Sequence, residues 1–444
     1  MVNKRLVYIL LLIFVFILKN LESQQQKPLT IEDCIQFGME NNRTLKIDKS
    51  KIASADEKLS EINSGRLPSL KFIAGYTRLS AIDPFTISMP VGQGKTQEYT
   101  ISPALLDNYT MKMSLQQPVF TGFRLESNAD LNKYNLLASS EDLKKDKSLL
   151  VLDIKNAYWN YIKAMELVNV VNENIAQTKA HLEDIQNFFN RGLATNNDVL
   201  KVKVQLSNVQ LLKVDADNTV KLAMMGLNNI IGLPISSDTK IVTEHKYNET
   251  RLPDLENLLE EGLKSRPELK GMDLRIKAGE SGVKLAQAGW YPQINFAANY
   301  NYMRPNPRIM PSKDQFIGTW DVGINLSFDV WNWLTTEHQT AQATETLEQT
   351  KYSLLQLKDA VILDVSQSYL NLSKSKEKIS VSEYAVRQAE ENYRVVNEKF
   401  KSGIALNSDL IDAESALLQA KVNLISAVAD FEIAMAKLDK SVGR

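Results

Sequence analysis

Few residues of this 444-residue chain have the types and spacing that catalysis or metal binding requires. The three histidines, His181, His245 and His338, lie far from one another and from Cys34, the single cysteine. Zinc sites gather several His or Cys ligands, usually at short spacings, and a disulfide needs two cysteines. The sequence therefore argues against a metal site within one chain and excludes an intrachain disulfide.

Catalytic motifs are also missing. The sequence contains no nucleophile elbow, phosphate-binding loop, dinucleotide fingerprint or HExxH motif. Asp153 and Asp364 look like paired carboxylates, but no acid or base partner can be placed near them, so we interpret them as helix-surface charges. His181 lies next to an apolar position of a helix and is expected to be solvated or at the edge of the packing. We expect a protein that is not an enzyme and binds no cofactor.

The elements that carry these residues are long helices. An apolar residue recurs at every seventh position in two stretches: Ile154, Tyr161, Val168, Ile175, Leu182 and Phe189, and then Val365, Leu372, Ile379, Val386, Tyr393 and Phe400. A period of 3.5 residues held over about five heptads keeps one seam of a helix against a partner and imposes left-handed supercoiling. Each stretch therefore predicts a coiled-coil helix of about 65 residues, or about 100 Å.

The two stretches lie 211 residues apart, and the match extends beyond them. At the same offset Gly192 corresponds to Gly403, and Asp198 corresponds to Asp409. Each glycine lies in a turn between two helical segments. We interpret the chain as a tandem duplication in which each half ends in a long helical hairpin.

The N-terminus has the pattern of an export signal. Lys4 and Arg5 precede a run of apolar residues that is long enough for a signal peptide and too short for a comfortable membrane span. Residues 1–23 are therefore assigned to a signal peptide. The rest divides into a first repeat at 24–235, a surface linker at 236–252 and a second repeat at 253–444.

Each repeat opens with a helix, predicted from Thr30 to about Gly65 and from near Asp254 to about Gly289. Segments with alternating apolar and polar residues follow, and they predict strands at about 68–79, 109–120, 292–302 and 319–331. Strands of this length and alternation are typical of transmembrane β-barrels, whereas sandwich strands are usually shorter. Long proline-containing loops join the strands at 80–108 and 303–319.

Four of the five tryptophans lie at or near the predicted strand ends: Trp290, Trp320, Trp331 and Trp333. An aromatic girdle at a membrane interface requires this placement, although positions in a buried core remain an alternative. The strands also constrain assembly. Four strands cannot close a barrel, and eight leave no channel, so three or more chains are needed for a pore.

The turn segments FFNRGLATNNDVL and KFKSGIALNSDLIDAESAL, the opening LTIEDCIQFGMENN and the order of the elements resemble the TolC-type outer-membrane efflux protein family. The resemblance covers essentially the whole mature chain. It implies a mainly α fold with a transmembrane β part. Long antiparallel coiled-coil helices would form a periplasmic α-barrel, and four strands from each protomer of a homotrimer would form a twelve-stranded barrel in the outer membrane of a Gram-negative bacterium.

The resemblance also implies a function. The chain would be the channel-tunnel of a tripartite efflux or type I secretion system. Its partners would be a periplasmic adaptor (membrane-fusion) protein, an inner-membrane pump of the RND or ABC type, and outer-membrane lipid. A net charge of −1 gives no reason to expect nucleic acid. A secreted periplasmic coiled-coil scaffold is the alternative; it explains the heptads but not the alternating strands. An exported hydrolase would need a nucleophile and a base that the sequence lacks.

Two groups of site residues follow from the resemblance. Helix tips that contact the adaptor in the family correspond here to Gly192, Leu193, Ala194, Gly403, Ile404 and Ala405. Acidic residues of the second repeat that line the family's periplasmic gate correspond to Asp409 and Asp412, with Phe400 beside them. Phe400 and Ala405 stand where a family example has tyrosine and arginine, so packing of Phe400 is expected to replace polar links at the gate.

The two acidic residues differ in how they can be explained. Asp409 has a counterpart in Asp198, and both follow a turn at the start of a helix, where a carboxylate caps free backbone N–H groups. Capping alone is therefore an equally good explanation of Asp409. Asp412 has Lys201 at the matched position, so a shared structural need does not account for it. In a trimer the two carboxylates would form a double acidic ring that favours cations.

Overall fold

The protein is described by a computed structural model that covers residues 28–92, 94–242 and 252–444. The predicted signal peptide, and most of the second half of the predicted linker, lie outside these residues. The described residues form two compact units. The helical unit comprises the chain up to Ser50, Glu141–Lys270 and Leu355–Arg444; the strand unit comprises Lys51–Ser140 and Gly271–Leu354.

Helices make up most of the described chain, as the sequence predicts. Their bounds are α1 Ile31–Asn41, α2 Arg43–Ser64, α3 Arg124–Asn190, α4 Asn196–Ile231, α5 Leu255–Ser265, α6 Pro267–Gln287, α7 Thr335–Lys401 and α8 Asn407–Val442. The longest, α3 and α7, contain 67 residues each and have residues in both units. Among the described helices, none is both long and apolar enough to cross a membrane.

Each predicted opening helix is in fact two helices. The first starts as expected, because Thr30 and Asp33 form a reciprocal capping box with bonds of 2.9 and 3.1 Å. It breaks at Asn42, whose side-chain oxygen accepts from the N–H of Thr44 at 2.8 Å and starts α2. The second breaks at Arg266, because Pro267 disfavours helical geometry in the residue before it.

Helix α8 is the most deeply packed element of the helical unit. Its buried residues include two series with seven-residue spacing, one of large side chains that is interrupted at the partly exposed Leu424 and one of alanines: Leu410, Leu417, Phe431 and Leu438, and Ala413, Ala420, Ala427 and Ala434. Large and small residues that alternate in this way let helices approach closely. Helix α8 runs antiparallel to α3, and ion pairs join the two helices at Lys155–Asp439, Lys163–Asp430 and Glu173–Lys421.

The buried face of α3 changes along the helix. Ile154 and Tyr161 of the predicted series are buried, whereas Leu182 is partly exposed and Phe189 is exposed. Nearer the C-terminus the buried residues are Val171, Asn174, Thr178, His181 and Ile185. These residues keep the alternating three- and four-residue spacing of a coiled coil, but they lie one residue before the predicted positions Ile175 and Leu182, so the buried face has changed register along the helix. The expectation that His181 is solvated or at the edge of the packing is therefore wrong.

The strand unit contains a four-stranded antiparallel sheet with the order β1-β4-β5-β6 and a separate hairpin of β2 and β3. The bounds are β1 Ser69–Arg78, β2 Phe85–Pro90, β3 Thr96–Ser102, β4 Asp107–Phe120, β5 Gln293–Arg304 and β6 Ile317–Ser327. The hairpin lies inside the segment predicted as a loop. Strand β6 ends before the predicted residue 331; farther along, Trp333 and Leu334 adopt left-handed backbone conformations just before α7 begins.

Candidate functional site

The helical hairpins of the helical unit end in two turns of the same construction. Gly192 and Gly403 have φ values of 75° and 71°, in the left-handed region that favours glycine. The N–H of Leu193 donates to the carbonyl of Phe188 at 2.8 Å, and that of Ile404 donates to Lys399 at 2.8 Å. These bonds satisfy carbonyls at the helix ends and allow the chain to reverse within a few residues.

The two turns present apolar side chains to solvent. Leu193 is 73% exposed and Ile404 is 75% exposed in the single chain. The neighbouring Ala194 and Ala405 instead pack on a group of buried residues that we call the tip cluster: Ile185, Val199, Val202, Phe400 and Leu410. Because this cluster draws on all four hairpin helices, the two turns are held side by side.

Carboxylates start the helices that follow the turns. Asp198 accepts from the N–H and the hydroxyl of Thr195 at 3.0 and 2.6 Å, and these bonds hold the pKa of Asp198 below its usual range. Asp409 accepts from the N–H of Leu406 at 3.1 Å. Leu406 has no hydroxyl with which to complete the box, so Asp409 caps its helix through one bond.

Asp412 is in different surroundings. It is exposed and lines a groove of about 450 Å³ between α4 and α8. Lys201, its counterpart in the first repeat, lines the same groove, together with the apolar Leu200, Val204 and Ile411. Asp412 therefore has freedom to interact with solvent ions that a helix cap would lack.

Phe400 lies inside the tip cluster. It is 3% exposed, and its ring contacts His181 and Phe188 at centroid distances of 5.1 and 5.4 Å. The ring thus contributes packing where a tyrosine hydroxyl would contribute a polar link. Asn407 adds one bridge between the two turns, since its side-chain nitrogen donates to the carbonyl of Asp198 at 3.2 Å.

Sequence reasoning missed a buried pair beside this cluster. His181 Nδ1 of α3 and Glu414 Oε1 of α8 are 3.3 Å apart, and both side chains are almost completely buried. The heptad pattern gives no sign of it: His181 lies off the predicted stripe, and Glu414 follows the buried Ala413 in a helix whose period is satisfied by apolar residues. Only the docking of α8 on α3 brings the two together.

The other residues whose side chains could take part in chemistry have structural roles. Burial, followed by the charges of Asp33 and Glu32, raises the pKa of the Cys34 thiol to about 12, so it is a poor nucleophile. Asp364 accepts a hydrogen bond from Arg266, which also donates to the carbonyl of Ser441 at 2.6 Å. No cluster of three or more potential metal ligands occurs among the described residues.

The sheet of the strand unit has one polar and one apolar face. Ser114, Asn299 and Asp321 are linked across three strands by hydrogen bonds of 2.7 and 2.7 Å. Side chains that alternate with these point to the other face, where Val322 and Ile324 are exposed. The same two-faced pattern is typical of strands between lipid and an aqueous lumen.

The four tryptophans lie at both ends of this sheet and are all exposed in the single chain. Trp320 is near the start of β6. Trp290 precedes β5, and Trp331 and Trp333 follow β6, so these three share the opposite end. The rings of Trp331 and Trp333 contact edge to face at 5.7 Å. A membrane girdle remains a prediction that this placement supports.

Comparison with solved structures identifies the fold. The fold is similar to that of the Campylobacter jejuni CmeC outer membrane channel, with a TM-score of 0.79 and 14% sequence identity over 93% of this chain and 85% of that one. At this identity the likeness concerns the fold. The chain therefore has the fold of an outer-membrane channel with long helices and a small β part.

Sequence comparison identifies the family. The family model described as outer membrane efflux protein matches residues 35–233 and 258–444, so the chain belongs to that family. It is 24% identical to the alkaline protease secretion protein AprF of Pseudomonas aeruginosa, over 75% of this chain and 69% of that protein. It is 22% identical to the outer membrane protein TolC of Escherichia coli, over 88% of this chain and 77% of that protein. The chain is an outer-membrane channel protein of the efflux or type I secretion type.

Proposed function

We propose that this chain acts as a homotrimeric channel-tunnel through which substrates leave the cell, and that it catalyses no reaction. The main observation that supports association of several chains is the open sheet. Strands β1 and β6 form its two edges, and neither pairs with a further strand among the described residues. An unpaired strand edge in hydrocarbon costs several kcal/mol for each unsatisfied backbone group, so edges must pair between chains.

Strand number then limits the assembly. Two chains would give eight strands, whose side chains fill the interior, and three would give twelve around an aqueous lumen. The apolar face with Val322 and Ile324 would contact lipid, and the face with Asn299 and Asp321 would line the lumen. The architecture of the family favours three chains over larger numbers.

The helical hairpins would reach the partners in the periplasm. Exposed Leu193 and Ile404 support contact with an adaptor (membrane-fusion) protein, because apolar side chains at a tip that could be polar mark an interaction surface. The adaptor would connect the channel to an inner-membrane pump of the RND or ABC type, which drives the substrate. AprF is named as a protease secretion protein, and TolC-type relatives include a toxin and drug export protein, so both kinds of system are represented.

The gate would lie at the same end of the helical unit. Asp409 and Asp412 would form the acidic ring, and Phe400 would act by holding α7 against α3 rather than by lining the pore, because its ring is buried. Solvent exposure of both carboxylates supports a place where passing ions can meet them.

Fractionation of cells that express the full chain tests the proposal. We expect the protein in the outer-membrane fraction as a trimer that resists detergent and separates into monomers on heating. Chemical crosslinking should give a ladder that stops at three. Recovery as a soluble periplasmic monomer would instead indicate the coiled-coil scaffold.

A further inference from the structure

Helices α3 and α8 are bridged by oppositely charged or chargeable side chains at four heights. Three bridges use lysine and are partly exposed: Lys155–Asp439 at 3.7 Å, Lys163–Asp430 at 3.8 Å and Glu173–Lys421 at 2.8 Å. The fourth, nearest the turns, is His181–Glu414 at 3.3 Å. It differs in being buried and in using histidine, the side chain whose charge changes near physiological pH.

Burial makes the protonation of this pair matter. His181 is 3% exposed and Glu414 is 0% exposed. Within the described residues, neither ring nitrogen of His181 and neither carboxylate oxygen of Glu414 has a hydrogen-bond partner. A buried charge without hydrogen bonds is costly unless an opposite charge lies beside it. Each group therefore depends on the other.

The pair is electrically neutral only when it holds one proton. It is then either an imidazolium beside a carboxylate or an imidazole beside a carboxylic acid. With no proton, Glu414 leaves a bare negative charge in the interior; with two, His181 leaves a bare positive charge. Either state disfavours the packing of α8 on α3 and favours separation of the helices, which lets water reach the charge.

No neighbouring group described below supplies a positive charge that could compensate Glu414 when this proton is lost. Tyr393 of α7 faces the pair, and burial together with the negative charges of Glu414 and Asp184 raises its pKa, so it stays neutral. Asp184 of α3 lies 4.0 Å from Lys401 of α7, in a partly exposed pair. The residues that α4 contributes to the tip cluster, Val199 and Val202, are apolar and carry no charge.

We propose that His181 and Glu414 form a proton-operated latch that holds the tips of α3 and α8 together while it binds one proton and releases them when that proton is lost. The rings of His181 and Phe400 contact each other edge to face, so release of the latch also frees the residue that packs at the proposed gate. The positions matched in the other repeat are Asn392 and Lys203, so the latch belongs to one of the two helix pairs.

The direction of the pH effect follows from proton counting. Hydrated histidine side chains in general bind a proton below pH ~6.5, and hydrated glutamate side chains bind one below pH ~4.3. Above about pH 6.5 the separated state binds no proton, whereas the latched state binds one, so rising pH weakens the latch by up to about tenfold per unit. Below about pH 4.3 the separated state binds two, and the latch weakens again. Packing is tightest in mildly acidic solution.

Amide hydrogen exchange on the full-length protein tests the latch directly. After correction for intrinsic exchange rates, protection of residues around His181, Phe400 and Glu414 should be more than tenfold higher at about pH 5.5 than at about pH 8. The core around Tyr158 should show no such change. In Glu414→Gln the tip should no longer gain protection in mild acid and should instead lose some, because a protonated His181 would then lack an opposite charge. Glu398→Gln, which changes an exposed acid at the end of α7, should keep the pH dependence of the unmodified protein.

Equal tip protection at the two pH values in the unmodified protein would overturn the latch, and so would an unchanged pH dependence in Glu414→Gln. Because the first comparison needs no variant, misfolding of the variant would not rescue the idea. A second measurement, which rests on the proposed channel function, is conductance in planar bilayers. We expect it to rise from about pH 5.5 to about pH 8, and we expect this rise to be absent in Glu414→Gln.

The two measurements fail separately. A protein without conductance at any pH but with pH-dependent tip exchange refutes the channel and leaves the latch in place. A conducting protein whose tip exchange does not depend on pH refutes the latch and supports the channel.

Discussion

At the scale of single residues, the carboxylates of the tips divide into caps and free charges. Asp198 and Asp409 each accept a hydrogen bond from the backbone three residues earlier, at 3.0 and 3.1 Å. That bond places them at the positive end of a helix, where a negative charge is favourable. Asp412 lies one turn further on and lines a groove instead. Substitution can therefore separate the proposed ion selectivity of the pore from the stability of the helix.

We expect the double substitution Asp409→Asn with Asp412→Asn to lower cation selectivity and to weaken block by multivalent cations, because six carboxylates would be removed from a trimeric ring. Reversal potentials across a salt gradient in planar bilayers measure this change. The single substitutions separate the two carboxylates. Asp412→Asn alone should give a large part of the effect, and unchanged selectivity in the double variant with normal trimers would leave Asp409 as a helix cap.

At the scale of elements, the tips depend on two glycines and two apolar side chains. Gly192 and Gly403 supply the left-handed conformation that ends α3 and α7, and a side chain at either would meet no atom within 4 Å. Conformation rather than space is therefore what requires glycine. Leu193 and Ile404 follow directly and extend from the folded tip into solvent.

Replacing Gly192 by alanine should lower the free energy of unfolding of the helical hairpin by about 1–2 kcal/mol, since alanine is strained at a positive φ. Gly226 is a matched control: it lies inside α4, is exposed and also has no atom within 4 Å of an added methyl group. There alanine should stabilise by about 0.5–1 kcal/mol. Chemical denaturation measures both, and destabilisation of the same size at the two sites would contradict the conformational explanation.

Charging the tips with Leu193→Glu and Ile404→Glu should abolish transport while trimers still form, because a carboxylate cannot occupy an apolar contact without losing its hydration. Export of a dye or protein substrate from cells measures transport, and heat-modifiable mobility measures assembly. Ser402→Glu is the control, since it adds a charge on the same turn without removing an apolar side chain. Normal transport by the double variant would remove the adaptor contact from these positions.

At the scale of the whole molecule, assembly depends on the two faces of the sheet. Register pairs Phe296 with Ile324 and Asn295 with Asn325, so apolar residues meet apolar ones and amides meet amides across β5 and β6. The two faces are thus consistent across β5 and β6. Together with the open edges β1 and β6, this consistency supports closure of the sheet between chains in a membrane.

Arginine at Ile324 or Phe296 should block membrane assembly, because a cation that faces lipid near the bilayer centre costs ~2–4 kcal/mol. Arginine at Asn325 or Asn295 should assemble, since these side chains would face water. The amount of heat-modifiable trimer in the outer membrane measures the difference between neighbouring positions. If both sets assemble equally well, the strands do not form a lipid-facing barrel.

The sequence by itself determined the features that repeat over short distances. Seven-residue periodicity predicted the long helices α3 and α7, glycine predicted the turns at Gly192 and Gly403, and alternation predicted the four strands of the sheet. These features are local, because each depends on neighbours within a few residues of the chain. Order and similarity of the segments then identified the outer-membrane efflux family, which the family comparison confirmed.

Tertiary structure decided what lies opposite each residue. His181 is buried because α8 places Glu414 against it, and no pattern within α3 reports that neighbour. The hairpin of β2 and β3 formed in a segment whose prolines and glycines predicted only a loop, since strand pairing depends on two segments at once. Burial and pairing are properties of contacts between distant parts of the chain, and those contacts exist only after the helices and strands have packed.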